Sequence, residues 1–175
     1  MTTPSRGTAP GAQTLDDTAR LQEIAELRLN DAEVDDILSE TAAEAAEHFG
    51  LPVALVSIVL DRAQYFRGAH GLDGWMATTR GTPAEWSFCQ YVVRNREPFV
   101  VEDAQTHPLM QDSPLVRMEG VRCYAGVPLV TFRGHVIGSF CVQGPDARSF
   151  TEYDLAQLHR YAKRVITRIE QRRQA

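Results

Sequence analysis

The stretch Val121 to Gly144, VRCYAGVPLVTFRGHVIGSFCVQG, constrains the fold more than any other part of the chain. Two apolar runs flank a polar turn at Arg133-Gly134-His135, a pattern that predicts a β-hairpin. Both arms are too apolar for a sheet edge with water on both sides, so the hairpin belongs near the middle of a sheet. Ala125, Gly126, Gly138 and Ser139 would let another element or a ligand approach the backbone closely. Fitting helices against the sheet is the plainer use of the same small residues.

The rest of the chain supplies partners for that hairpin. Residues 1–14 are rich in Thr, Pro, Gly, Ser and Ala and cannot bury enough surface to order themselves, which makes them a tail. Residues 15–175 then form a single domain, a size that allows one full core. A helix is expected from about Leu15 to Leu29, with Leu15, Ala19, Ile24 and Leu27 as a sparse apolar stripe. Asn30 and Glu33 have capping-box spacing before a second helix, whose positions Val34, Ile37, Leu38, Thr41, Ala42, Ala45 and Phe49 follow the helical period. Gly50 and Pro52 stop it.

Val53 to Leu60 reads as a buried strand and Gln64 to Ala69 as its returning partner. Gly71 to Pro83 has no period and reads as a loop. Ser87 to Arg94 is a short capped helix, Phe99 to Val101 a short strand, and Ala104 to Gly120 a loop with at most a helical turn. The last helix opens at Thr151 with Asp154 reciprocating the cap and Phe150 and Leu155 as a hydrophobic staple. Its stripe is Leu155, Leu158, Ala162, Val165, Ile166 and Ile169. Hairpins flanked by helices imply an α+β domain. The expected architecture is a central antiparallel sheet of five or six strands. The N- and C-terminal helices pack on one face, and loops and short helices cover the other.

Charge and cysteine usage narrow the function. A net charge of −5 argues against nucleic acid or an anionic membrane as the main partner. Arg160, Lys163, Arg164, Arg168, Arg172 and Arg173 crowd the last helix, where they form a solvated face favoured by the helix dipole. No stretch has the length of a membrane span and no signal-peptide core opens the chain, so the expected location is cytoplasmic. Cys89, Cys123 and Cys141 are too few and scattered for a disulfide framework.

Three blocks, in order, resemble the GAF domain family: FGLPVALVSIVLDRAQYFRGAHGL, SFCQYVVRNREPFVVEDA, and VRCYAGVPLV with GHVIGSFCV. They run from about Asp31 to Gln171. The resemblance implies a sensory module with terminal helices on one side of a sheet and a ligand pocket on the other. In many members those helices also make a homodimer, with which both apolar stripes are compatible.

Family chemistries can be tested residue by residue. Cys89-Gln90, Cys123-Tyr124 and Cys141-Val142 lack the Cys-His pair typical of covalent bilin attachment. Asn95-Arg96, Phe99 and Asp103 only echo the cyclic-nucleotide pattern, with compressed spacing and Ala104 where Glu would stand. The five histidines show no metal-ligand spacing, and His70 or His107 alone is a poor signal for haem. A free methionine sulfoxide reductase would need a nucleophilic thiolate and a resolving cysteine. Cys89 at a helix start would serve as the first, and Cys123 and Cys141 in paired strands would stand almost opposite each other.

The candidate pocket wall is Phe66, Trp86, Phe88, Cys89, Asp103, Tyr124 and Cys141, suited to a planar or apolar ligand. Asp103 serves equally well as a cap for the following turn. The reading is a non-catalytic sensory or regulatory GAF domain that binds a small molecule or a signalling partner, its cofactor unknown. The alternatives are the cysteine-based reductase and a pure interaction module whose pocket is filled by its own side chains.

Overall fold

The computed structural model describes residues 13–173, so the expected tail falls almost wholly outside the described residues. The helices are α1 (Thr18–Leu27), α2 (Ala32–Phe49), α3 (Gly74–Thr79), α4 (Cys89–Asn95), α5 (Pro114–Arg117) and α6 (Glu152–Arg173). The strands are β1 (Val53–Val59), β2 (Ala63–His70), β3 (Gly81–Pro83), β4 (Phe99–Val101), β5 (Cys123–Val130) and β6 (Val136–Gly144). One antiparallel sheet has the order β3-β2-β1-β6-β5-β4. The hairpin of β5 and β6 is therefore internal, as its apolar arms require. Its turn closes through Thr131 N–H to the His135 carbonyl at 2.9 Å, with Gly134 at φ 87°.

Strand alternation splits the core into two layers. Ala54, Val56, Ile58, Ala125, Val127, Leu129, Phe140 and Val142 face α2 and α6, meeting Leu38, Ala42, Leu158, Val165 and Ile169. Leu55, Val59, Tyr124 and Cys141 face the other way, under Phe88, Cys89, Val92, Val93, Met110 and Leu115. Close backbone approach has a definite use at Gly138. An added Cβ would lie 1.8 Å from the Ser57 carbonyl oxygen of the neighbouring strand. That glycine serves strand packing at the centre of the sheet.

Four expectations need correction. Asp31, not Asn30, caps α2, accepting the Glu33 N–H at 2.8 Å. The stretch from Gly71 to Pro83 is not all loop, because α3 and the edge strand β3 lie within it. Both are too short for a period to register, and β3 is held by pairing with β2.

The inner face of α1 is Arg20, Glu23 and Leu27, while Ala19 is exposed. Arg20 is fully buried and donates to the carbonyls of Val59 (2.5 Å) and Leu15 (2.5 Å). Cys123 and Cys141 are not opposite each other either. Cys123 pairs with Gly144 and Cys141 with Gly126, which puts the two thiols on opposite faces of the sheet. A register shift at Leu129/Val130 inserts the residue that defeats counting from the turn.

Candidate functional site

Helix α4 starts directly over the centre of the sheet. Ser87 sets that start: its hydroxyl accepts the Gln90 N–H at 3.1 Å and donates to the Ala84 carbonyl at 2.7 Å. Phe88 and Cys89 thereby point down onto β5 and β6. The Phe88 ring stacks on Tyr124 with centroids 4.7 Å apart and planes 17° from parallel. Beneath the rings, Cys89 Sγ lies 3.2 Å from the Tyr124 hydroxyl, which lies 3.1 Å from Ser139 Oγ. Gly126 makes this possible, since a Cβ there would sit 2.2 Å from the Tyr124 hydroxyl.

The polar chain continues towards the sheet edge. Ser57, paired across strands with Ser139, donates to Gln64 Oε1 at 2.8 Å, and Gln64 Nε2 donates to Thr82 Oγ1 at 2.7 Å. Two hydrogen-bonded groups, Ser57–Gln64–Thr82 and Cys89–Tyr124–Ser139, thus form a polar row lying side by side across the sheet from β3 to β5 inside an apolar core. Every member is buried. Such a row is tolerated because its members satisfy one another.

Its electrostatics single out one sulfur. The Cys141 thiol, with the Tyr124 hydroxyl beside it, favours the Cys89 thiolate and outweighs burial, bringing its pKa down to about 7. The dipole of a short helix is not needed to account for this. Cys141, as the donor to Cys89 and itself buried, is pushed well above the usual thiol range. Burial pushes the Tyr124 phenol up as well, with the Cys89 charge adding to it. On the opposite face, burial raises Cys123, which takes no part in the row.

Of the seven residues expected to line a pocket, Phe88, Cys89, Tyr124 and Cys141 come together. Phe66 joins the same core layer and is 3% exposed. Trp86 lies at its margin, partly buried, edge-on to Trp75 with ring centroids 6.2 Å apart, its carbonyl accepting from Ser113 Oγ at 2.6 Å. Asp103 lies elsewhere. It caps the following turn through the Gln105 N–H (3.1 Å) and binds Arg122 by two hydrogen bonds, at 2.6 and 3.2 Å. Ser57 and Gln64 were not singled out by sequence, and Ser139 only as a small residue allowing close approach to the backbone. The available signal was a serine inside each of two otherwise apolar strands, VALVSIV and VIGSFCVQG.

The Asp103–Arg122 pair ties the two ends of the loop between β4 and β5, where Ala104 N–H also donates to the Arg122 carbonyl at 2.6 Å. Arg122 holds the Asp103 carboxyl below the usual carboxylate range. A lowered folded-state pKa contributes stability above the unfolded pKa, about 4. That contribution is lost as pH falls through the folded value. The stability gap between wild type and Asp103→Asn is therefore expected in thermal melts near neutrality and closes in acid. A gap that does not narrow as the pH falls below the unfolded value would contradict the pairing.

Two concavities among the described residues lie away from this site. One of about 630 Å³ runs between α2 and α6, lined by Ile37, Glu40, Glu44, Lys163, Arg164 and Arg168 among others. Another, of about 560 Å³, lies between α1 and the β1–β2 turn region. Neither is lined by Phe88, Cys89, Tyr124 or Cys141. On the side opposite the terminal helices, Phe88, Cys89, Tyr124 and Cys141 are buried in one apolar cluster. No helix among the described residues is long and apolar enough to cross a membrane.

Comparison with known proteins agrees with this architecture. The GAF domain profile matches residues 33–169. A cyclic di-GMP phosphodiesterase of Pseudomonas aeruginosa is 36% identical over 156 residues, covering 88% of this chain. The chain spans about a quarter (26%) of that protein's length. The GAF domain of a phosphoenolpyruvate-protein phosphotransferase from Coxiella burnetii superposes with a TM-score of 0.68 at 18% identity, covering 89% of this chain and 97% of the other. Free methionine-R-sulfoxide reductase from Neisseria meningitidis, solved in complex with its substrate, gives 0.66 at 19% identity, covering 93% and 97%. At such identities the two structures speak to the fold alone. The profile match spans most of the sheet and both long helices, and on that ground the chain belongs to the GAF domain family of sensory modules.

Proposed function

We propose that this GAF domain is a non-catalytic regulatory module that works through its helical face as a homodimer, rather than through an open small-molecule pocket. The observation that carries the reading is the closed interior: Phe88 and Tyr124 are each 1% exposed and stacked where a ligand would lie. The sulfoxide-reductase alternative needs room for a substrate at Cys89, and that thiol is buried under the same rings.

The helical face supplies the complementary argument. Helix α2 presents Glu33, Asp36, Glu40, Glu44 and Glu47, all exposed, and α6 presents Arg160, Lys163, Arg164, Arg168 and Arg172. Within one chain Arg164 pairs with Glu44 at 2.8 Å and Arg172 with Asp31 at 2.7 Å. The remaining charges leave an acidic ridge beside a basic one, with half-buried Ile37 and Ala43 on α2. A twofold axis across this face would set the acidic ridge of each copy on the basic ridge of the other, the self-complementarity a closed dimer needs. Similarity to a stretch of a cyclic di-GMP phosphodiesterase supports a setting in which the dimer governs a signalling enzyme of that kind.

The test is the mass of the purified chain by light scattering and native mass spectrometry. A dimer is expected at micromolar concentrations, converting to monomer in Ile37→Arg with unchanged circular dichroism. A monomeric wild type, a bound small molecule lost only on denaturation, or turnover of free methionine sulfoxide would each overturn the reading.

A further inference from the structure

Two of the three thiols flank one hydroxyl group. Cys89 Sγ lies 3.2 Å from the Tyr124 hydroxyl. Cys141 is the cross-strand partner of Gly126, and the position a Cβ would take at Gly126 is 2.2 Å from that same hydroxyl. Cross-strand neighbours stand about 5 Å apart, so Cys141 lies on the same side of the sheet as the hydroxyl that Cys89 contacts, between α4 and β6. They come from elements 52 residues apart in sequence, which is the difference between positions 89 and 141. Cys123 lies on the other face, against Gly144.

We propose that Cys89 and Cys141 form a peroxide-oxidisable dithiol, a modification site that closes into an intramolecular disulfide and pins the start of α4 to β6. The chemistry goes beyond the dimer reading and does not depend on it. Cys89 as thiolate attacks one oxygen of hydrogen peroxide, the O–O bond breaks, and hydroxide leaves to become water, giving a sulfenic acid. The Cys141 sulfur then attacks the Cys89 sulfur, and the sulfenic oxygen leaves as a second water with the Cys141 proton. Two thiols lose two electrons in all, and one peroxide is reduced to two waters.

The site suits this oxidant and few others. Cys89 is 3% exposed and Cys141 fully buried, so a bulky disulfide reagent has no path to them. Hydrogen peroxide is little larger than water. The donors around Cys89 that bring its pKa to about 7 keep a share of it as thiolate at neutral pH. Cys123, without such donors and with its pKa raised, is the internal control. Closing the bond also changes the sulfur that the Tyr124 hydroxyl contacts.

The experiment treats the whole chain with hydrogen peroxide, denatures it in an alkylating agent, and maps thiols and linked peptides by mass spectrometry. The expected product has one alkylated thiol, Cys123, and a linked Cys89–Cys141 peptide, with Cys89 consumed about tenfold faster than Cys123. In Cys141→Ser, a dione probe present as the treated protein is denatured should trap sulfenic acid on Cys89. Cys123→Ser should behave as wild type, and each variant's folding is checked by its circular dichroism melt. The wild-type map decides by itself if a variant fails to fold. Three alkylated thiols after treatment, a link through Cys123, or a link between two chains would overturn the proposal. The dimer measurement is read on untreated protein, so failure of one proposal is distinguishable from failure of the other.

Discussion

Phe88→Ala is expected to cost about 3–5 kcal/mol, a large share of the stability of a domain this size. The ring is 1% exposed and stacked on Tyr124, at the base of α4. Truncating it leaves a void whose floor is the phenol of Tyr124 and whose walls are apolar side chains of the same layer. The surrounding strands cannot collapse into it, since their spacing is set by the hydrogen-bond ladders of β1, β5 and β6. The void gives a second readout. A small aromatic such as benzene or indole should raise the melting temperature of the variant and leave wild type unmoved. A loss under about 1 kcal/mol would mean the ring is not close-packed. Stabilisation of wild type by the same compounds would mean that an open pocket exists after all.

The second large effect lies at the opposite end of the molecule, where α1 meets the hairpin turn and the end of α6. Glu23, with only 1% of its side chain exposed, makes an ion contact with Arg173 and accepts from Thr131 Oγ1 at 3.0 Å. Arg133 approaches it to 4.0 Å and His135 to 3.9 Å. Glu170, the second buried carboxylate, contacts Arg173 Nε at 3.0 Å and accepts the Phe132 N–H at 3.0 Å. Glu23→Ala removes one member and leaves the others to find water they cannot easily reach. Breaking a buried pair in this way costs about 3–5 kcal/mol. Hydrogen exchange should show the loss first in α1 and in the last turns of α6. With Arg173→Met in the same chain, the combined loss should fall well short of the sum. Additive losses would show that the two side chains do not act as one cluster.

The functional consequence of that cluster is mechanical. It joins the first helix, the tip of the central hairpin and the end of α6 into one rigid corner. Fold and candidate site thus share the hairpin as their common element.

How far the sequence reached can be judged on particular residues. Helices α2 and α6 were legible because burial there follows the 3.6-residue period, strands β1, β5 and β6 because they are nearly continuous apolar runs buried on both faces, and the cap of α6 from its residue spacing. Thr151 and Asp154 exchange the two hydrogen bonds that their spacing predicts, at 2.8 and 3.1 Å. Helix α1 was legible as a helix, but its inner face was not. Arg20 and Glu23 look like solvent-facing charges in any periodic reading, and only the carbonyls and side chains of distant elements make them interior. Cys89, Phe88, Tyr124 and Cys141 were candidates by type, while Asp103 was drawn away by Arg122.

What the sequence determined by itself was the order of the main strands and long helices and the buried sides of α2 and α6, since apolar patterning is local and hydrophobic burial is non-directional. Only the tertiary structure decided which polar groups meet. Hydrogen bonds are directional and their partners come from strands whose register depends on a single extra residue near Val130. That one residue placed Cys141 beside Cys89 and sent Cys123 to the other face.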